Sequence, residues 1–183
     1  MERERFVISN RARAAAWLAM VLAVILAGLG GGHPCRPIYC RAAGLVLLAL
    51  SMRGAAVTGR YLAVYGNPVK RGKGPGEPTR LVREGPYSCM RHPMHLFLSL
   101  FPLSLGLLIA SAYSILVGLV EAVAILLLAV VLDEQESRAR FGEEYEEYRR
   151  TVPPFSLDPR CLAKALGPRP PKKRIGERGK RLT

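Results

Sequence analysis

The segment from Pro93 to Leu132 restricts the fold of this chain more than any other. Its forty residues are apolar or small apart from His95 and Glu121. A helix needs roughly 20 residues to cross the hydrocarbon core of a bilayer. The segment is therefore long enough to cross twice. It predicts a hairpin of membrane-spanning helices whose two ends lie on the same face of the membrane.

Other apolar blocks predict two further crossings. The four predicted spans are residues 14–32, 38–59, 93–110 and 114–132. The second is the least apolar because Arg53 lies inside it, about two turns from Arg60, from where its side chain could extend to the interface. The predicted fold class is all-α: a polytopic membrane protein with about four transmembrane helices and a cytoplasmic C-terminal helix. Residues 1–159 form one membrane-embedded domain in this prediction, and 160–183 form a basic, disordered cytoplasmic tail.

The charge distribution predicts the orientation. Lys and Arg number 27 against 14 Asp and Glu. Four basic residues precede the first span, the middle loop from Arg60 to Arg91 contains seven with these two included, and thirteen follow Leu132. The first outer loop contains only two, and the last turn contains none. By the positive-inside rule both termini and the middle loop are predicted to be cytoplasmic, in an integral protein of the cell membrane. Aromatic residues are few, so anionic lipid head groups, and not nucleic acid, are the predicted partner of the basic tail.

Two charged motifs flank the predicted hairpin. Gly-Pro-Tyr-Ser-Cys-Met-Arg-His-Pro precedes it at 85–93, and Asp133-Glu134 follows it, with Phe-Gly-Glu-Glu-Tyr-Glu-Glu-Tyr at 141–148. A hairpin would bring the Arg-His and Asp-Glu pairs to one face of the membrane. Cationic and anionic groups facing each other suit a zwitterionic ligand such as S-adenosylmethionine. Free N–H groups at the start of the third helix would add donors, and Pro93 suits its first position.

These motifs, in this order and at this spacing, resemble the integral-membrane methyltransferases related to isoprenylcysteine carboxyl methyltransferase and the phospholipid N-methyltransferases. The resemblance covers about Leu81 to Pro154. It implies S-adenosylmethionine as cofactor and a lipid-soluble methyl acceptor that arrives from the bilayer. The predicted cofactor-binding residues, which include the neighbouring His95 and Asp133, are Tyr87, Arg91, His92, Pro93, His95, Asp133, Glu134, Tyr145 and Tyr148.

Two departures from the family pattern leave the acceptor open. His95 stands where the family usually has Tyr, and Ala124 to Leu132 holds no basic residue, although carboxyl-methylating members often place an Arg there. A buried carboxylate substrate would need such a partner. The acceptor head group can therefore be a carboxyl, a thiol or an amine. Candidates for the missing cation are Arg53, Arg138 and Arg149; the catalytic residue is unassigned, with Glu121 and Arg149 as candidates.

Several of these residues also have simpler interpretations. Arg91 could be a topology anchor and His92 a helix cap, while Glu121 could polarise a substrate amine or only bond to a serine or to Arg53. His92 and His95 share a helix face as metal ligands do. No third ligand stands at a suitable spacing, so no metal site is predicted. The stripe formed by Phe141, Tyr145, Tyr148 and Val152 is expected to pack on the membrane domain.

Cysteines carry no catalytic signal. Cys35 and Cys40 share the first outer loop and could form a disulfide in an oxidising compartment, whereas Cys89 and Cys161 have no evident partner. Two rival functions remain at this level. One is a sterol-reductase-like, NADPH-dependent membrane oxidoreductase, and the other is a non-catalytic membrane scaffold held to lipid by its basic tail.

Overall fold

The computed structural model describes residues 10–34, 36–67 and 78–170, and every regular element in these ranges is helical. Four apolar helices come first: α1 (Asn10–Ala27), α2 (Pro37–Tyr65), α3 (Pro93–Ile109) and α4 (Ala112–Leu128). Three short polar helices follow: α5 (Glu134–Phe141), α6 (Glu143–Thr151) and α7 (Pro159–Leu166). A single 3-10 turn, Gly85–Ser88, precedes α3. The all-α prediction is confirmed.

The apolar helices pack around α3, which lies between α2 and α4, while α1 contacts α3 and α4. Glycines at the crossings let the backbones approach closely. A Cβ added at Gly118 would lie 2.5 Å from the carbonyl oxygen of Pro102, and one added at Gly54 would lie 2.0 Å from the Phe97 ring. Small residues at helix contacts are typical of membrane bundles, where close van der Waals packing drives association.

The outer surface of this bundle is apolar. Large hydrophobic side chains are about half exposed or more along three helices, among them Leu18, Leu22, Ile25, Leu26, Leu45, Val46, Met52, Leu116, Val120, Val123 and Leu127. Soluble monomers rarely expose apolar patches of this extent. Two helices, Pro37–Tyr65 and the continuous Ala112–Phe141, are long and apolar enough to cross a membrane, and Ala15–Ala27 and Pro93–Ile109 are shorter apolar helices. Four crossings remain a prediction.

The helix ends differ from the predicted spans mainly at their C-terminal sides. α1 ends at Ala27 instead of residue 32, because the chain turns through Gly28 to Gly32, with Gly31 at a positive φ and against the Tyr113 ring. α2 continues to Tyr65, six residues past the predicted end, because its sequence contains no breaker there. α3 begins at Pro93, as predicted.

The helix that contains α4 does not stop where the apolar run stops. Residues Ala129–Asp133 form a π-helical turn that leads directly into α5. Such a turn fits one extra residue into the helix and therefore rotates all later side chains relative to the earlier ones. Glu134, the first residue after the turn, is buried. No feature of the sequence indicates the π turn.

Helix α7 lies in the first residues of the segment that was predicted to be a disordered tail. The Asp158 carboxylate accepts a hydrogen bond of 2.7 Å from the backbone N–H of Arg160, which caps its N-terminus. At its other end Arg53 donates to the carbonyls of Leu166 (3.1 Å) and Gly167 (2.6 Å). Arg53 thus fastens α7 to α2, a role that the sequence did not suggest.

A disulfide also holds α7 against the motif before α3. Cys161 of α7 is bonded to Cys89, with their Cα atoms 6.0 Å apart. Lys164, one turn further along, donates to the Ser88 hydroxyl at 3.0 Å. The expectation that these two cysteines lack partners is therefore wrong, because a contact across 72 residues leaves no local trace in the sequence.

Some predictions fall on residues outside the described ranges. They concern the basic residues before residue 10, the part of the middle loop at 68–77, Cys35 with its possible bond to Cys40, and the basic residues from 171 onward.

Candidate functional site

A cavity lies where the start of α3 meets the π turn, α5 and α6. It holds about 900 Å³ not filled by atoms, a volume that includes its open mouth. Its apolar wall is formed by Leu62, Leu81, Val82, Met94 and Phe141. Seven of the nine residues predicted to bind a cofactor also line it: Tyr87, Arg91, His92, His95, Asp133, Tyr145 and Tyr148. The hairpin thus brings the two charged motifs together.

The other two predicted residues lie beside the cavity without lining it. Pro93 is fully buried at the first position of α3, where its missing N–H leaves no unpaired donor. Glu134 is buried at the start of α5 and faces Arg91. Both therefore shape the wall and do not form its surface.

Arg91 and Glu134 form a buried ion pair. Their side chains are 7% and 5% exposed. Arg91 Nε lies 3.1 Å from Glu134 Oε1, and Nη2 contacts the same oxygen. The two predicted charges thus bind each other directly, and Glu134 already balances the charge of Arg91.

The remaining donors of Arg91 hold the segment after α6. Its Nη1 donates to the carbonyls of Val152 and of Arg149, the latter at 3.2 Å. Its backbone N–H donates to the Pro153 carbonyl at 2.9 Å. The ion pair consequently fastens three parts of the wall: the motif before α3, the start of α5 and the chain that leaves α6.

The two histidines lie on the acidic side of the cavity. His95 Nε2 is 3.0 Å from Asp133 Oδ2, and His92 Nε2 is 3.4 Å from Glu134 Oε1. The His92 ring lies between those of His95 and Phe155, with centroids 6.0 and 5.9 Å away. Burial holds the pKa of His92 below its ordinary value and the neighbouring His95 adds to this, although Asp133 and Glu134 oppose the shift. The His92 ring is therefore held mainly in its neutral form.

The aromatic wall comes from the stripe that was predicted on the C-terminal helix. Tyr145 and Tyr148 are buried against Leu81, with Phe141 and Val152 packed beside them, as predicted. The Tyr148 hydroxyl donates to the Tyr87 carbonyl at 2.6 Å. Burial raises the pKa of the Tyr145 and Tyr148 hydroxyls, so both stay protonated. α6 thus closes one side of the cavity with neutral phenols.

Three buried polar atoms of the lining residues form no hydrogen bond of good geometry within the described part of the chain, although Arg91 lies near Tyr145 and Glu134 lies near His92. They are the hydroxyls of Tyr87 and Tyr145 and Nε2 of His92. Buried polar atoms in native proteins are nearly always paired with protein, water or a ligand. Their meeting at one cavity indicates a site for a polar ligand.

The structure also separates the basic residues that the sequence left as alternatives. Arg138 Nη2 lies 3.6 Å from Glu134 Oε2, and its Nε contacts Glu146 at 3.0 Å. Arg149 pairs with Glu146 through its side chain, while Arg53 binds α7. Arg138 is thus the candidate whose side chain reaches the acidic pair. The signal was present in the sequence, since Arg138 follows Glu134 by four residues, the spacing of neighbours on a helix face.

The two catalytic candidates do not line the cavity. Glu121 lies inside α4, and its Oε2 has no hydrogen-bond partner in the described ranges. The suggested bond between Glu121 and Arg53 is not formed, because Arg53 points to α7. Arg149 contributes its carbonyl oxygen to Arg91, and its guanidinium binds Glu146. The sequence missed several residues that do line the cavity, namely Pro78, Arg80, Glu136, Ser137 and Arg140.

The chain is similar to known proteins over much of its length. The chain is 29% identical over 148 residues to the nickel-cobalt-cadmium resistance protein NccN of Alcaligenes xylosoxydans xylosoxydans, an alignment that covers 80% of this chain and 65% of that protein. The chain therefore spans a little under two thirds of that relative's length. No solved structure matches it significantly. A family model described as phospholipid methyltransferase matches residues 37–144, more than half of the chain, from α2 through the acidic pair. Together with the apolar helices, this match shows that the chain is a membrane protein and belongs to the phospholipid methyltransferase family.

Proposed function

We propose that this protein transfers a methyl group from S-adenosylmethionine to a lipid-soluble acceptor. The observation that carries the proposal is the set of unpaired polar atoms of Tyr87, His92 and Tyr145 at one cavity, in a chain of a methyltransferase family. The cavity combines these atoms with an apolar wall and an acidic edge. This combination matches a ligand that has a charged amino-acid end and a flat heterocycle.

The lining residues divide between the two ends of such a cofactor. The unpaired hydroxyls of Tyr87 and Tyr145 are available to its carboxylate, and the Asp133 carboxylate is suited to its ammonium or ribose hydroxyls. Leu62, Leu81 and Val82 offer an apolar surface to the adenine. When bound, the cofactor supplies a sulfonium-activated methyl group, which leaves with cleavage of its carbon–sulfur bond. The protein residues have to align this methyl group and exclude water.

Arg91 and Glu134 act as positioning residues in this proposal. Their mutual pairing and the bonds from Arg91 to the carbonyls of Arg149 and Val152 fix the wall that carries Tyr145. A rigid wall matters because a methyl transfer depends on the distance and angle between two reacting atoms. The family resemblance assigns both residues to the cofactor site, and this role is consistent with that assignment.

The acceptor would reach the cavity from the bilayer. The four apolar helices would cross the membrane, with the cavity at its cytoplasmic face and both termini in the cytoplasm. The acceptor head group would be a carboxyl, a thiol or an amine, and anionic lipid head groups would hold the basic tail. Arg138, 41% exposed and 3.6 Å from Glu134, is the basic side chain near this edge that an acidic head group could recruit.

The proposal is tested by isothermal titration and by methyl transfer on detergent-purified protein. S-adenosylhomocysteine should bind, and NADPH should not. Tyr145→Phe should weaken S-adenosylhomocysteine binding about five- to tenfold, the equivalent of one hydrogen bond of roughly 1 kcal/mol. Tyr39→Phe is the matched control, because Tyr39 is exposed at the start of α2. This variant should bind S-adenosylhomocysteine as the unmodified protein does.

Labelled S-adenosylmethionine should then pass its methyl group to native lipid extract. Acceptors with carboxyl, thiol or amine head groups, added one at a time, would identify the chemical class. Tight binding of NADPH alone would overturn the proposal in favour of a reductase. Binding of S-adenosylhomocysteine without a labelled product from any lipid would refute catalysis.

A further inference from the structure

We propose that His92, His95 and Asp133 form a binding site for a divalent transition-metal ion. Each of these side chains offers one ligand atom, and the three atoms lie within 4.8 Å of one another. The sequence predicts no metal site, because no third ligand stands at a suitable spacing from the two histidines. The fold supplies the third ligand, since the α3–α4 hairpin and the π turn bring Asp133 next to the first turn of α3.

A second observation points to a ligand at this cluster. His92 is 7% exposed, and its Nε2 lies 3.4 Å from Glu134 Oε1 without forming a hydrogen bond of good geometry in the described ranges. His95 and Asp133 are 29% and 30% exposed, so both can be reached from the cavity. Their present 3.0 Å contact joins a nitrogen and an oxygen that would both face the ion.

The ligand types select the class of metal. Two imidazole nitrogens and one carboxylate oxygen suit Zn²⁺, Ni²⁺ and Co²⁺, whereas Mg²⁺ and Ca²⁺ prefer oxygen ligands alone. Tetrahedral coordination with metal–ligand bonds of about 2.0–2.2 Å places the ligand atoms about 3.3–3.6 Å apart. Ligand atoms as far apart as 4.8 Å must therefore close by up to about 1.5 Å, a movement open to the partly exposed His95 and Asp133 side chains. Three protein ligands leave further coordination positions open to the cavity.

The surrounding charges are compatible with such an ion. Asp133 supplies one negative charge directly, and the Glu134 carboxylate lies 3.4 Å from His92 Nε2. Arg91 is paired with Glu134, which offsets its positive charge. The site does not depend on the proposed methyl transfer, but it uses His92 and Asp133, which the proposed cofactor site also uses, so the metal ion and the cofactor would compete for these two side chains.

The test uses full-length protein purified without a histidine tag and stripped with a chelator. Zn²⁺, Ni²⁺, Co²⁺ and Mg²⁺ are titrated separately by calorimetry, and visible spectra of the Co²⁺ form report nitrogen coordination. We expect one equivalent of each transition metal and no binding of Mg²⁺. Asp133→Asn and His95→Gln should weaken binding at least tenfold, and both keep a side chain that can form hydrogen bonds.

His33→Ala is the matched control, because His33 contacts the Ala110 carbonyl at the other end of the bundle and is the third histidine of the chain. It should bind metal as the unmodified protein does. Metal-free thermal unfolding shows whether each variant is folded. Equal metal affinity in folded Asp133→Asn, His95→Gln and unmodified protein would overturn the proposal, as would the absence of binding by the unmodified protein. S-adenosylhomocysteine is titrated separately without metal, so the two proposals can fail independently.

Discussion

Replacing Glu134 with Gln removes one charge from a buried ion pair with almost no change in shape. Arg91 and Glu134 are 7% and 5% exposed, so the guanidinium cannot recover its lost partner from water. Breaking a buried ion pair in this way typically lowers the free energy of unfolding by about 3–5 kcal/mol. For a chain of this size, each kcal/mol lowers Tm by about 2–4 °C, which gives an expected loss of about 6–20 °C.

The assay is thermal unfolding in detergent, with Glu147→Gln as the matched control. Glu147 is also a glutamate paired with an arginine, at 3.7 Å from Arg83, but it is 76% exposed. Exposed pairs contribute about 0.2–1 kcal/mol, so this control should change Tm by no more than about 4 °C. A Tm loss in Glu134→Gln no larger than that of Glu147→Gln would refute the reasoning.

A double-mutant cycle separates the pair from other effects of each substitution. Arg91→Met removes the cation together with its bonds to the carbonyls of Arg149 and Val152. Combined with Glu134→Gln it leaves no unpaired buried charge. The double variant should therefore be more stable than the sum of the two single losses predicts, by about 2–3 kcal/mol. Additive losses would show that the two side chains do not depend on each other.

Three further predictions concern packing and the cavity wall. Gly118→Ala should lower the free energy of unfolding by about 1–3 kcal/mol, because the new Cβ would meet the backbone of α3. Gly59→Ala should be tolerated, because no atom lies closer than 3.8 Å to its Cβ position, and the Tm of both variants tests this. Tyr148→Phe should lower the free energy of unfolding by about 1–2 kcal/mol, because it removes a buried hydrogen bond. Tyr145→Phe should lower it less, since the Tyr145 hydroxyl forms no hydrogen bond of good geometry, and equal Tm losses would contradict this. Arg53→Ala should increase the rate of amide hydrogen exchange in α7 roughly tenfold, as measured by mass spectrometry. The affinity for S-adenosylhomocysteine, measured by calorimetry, should not change. An unchanged exchange rate would refute the anchoring role of Arg53.

Local rules explain what could be predicted about the site. Pro93 marks the start of α3. The apolar run from there to Leu132 favours a helical hairpin, because it is long enough to cross a bilayer twice. A hairpin returns its ends to one side, so Tyr87, Arg91 and Asp133 line one cavity. The aromatic stripe of α6 could be predicted because helix periodicity fixes which side chains share a face.

The details of pairing could not be predicted in this way. Successive residues of a helix differ in direction by about 100°, so one extra residue changes which side chain points into the site. The π turn at Ala129–Asp133 is such an insertion, and no residue type in it indicates that a π turn will form. It lies immediately before Glu134, which pairs with Arg91, and it ends at Asp133, which lies beside His95.

The amino-acid sequence by itself determined the helical class, the apolar hairpin and the membership of the two motifs in one site. These follow from composition, length and periodicity, which act over a few neighbouring residues. Only the tertiary structure decided that Arg91 binds Glu134 directly, that Asp133 joins the two histidines, and that Arg53 and Cys89 hold α7. Those contacts join residues far apart in the chain, and they depend on the depth and rotation at which the packed helices settle.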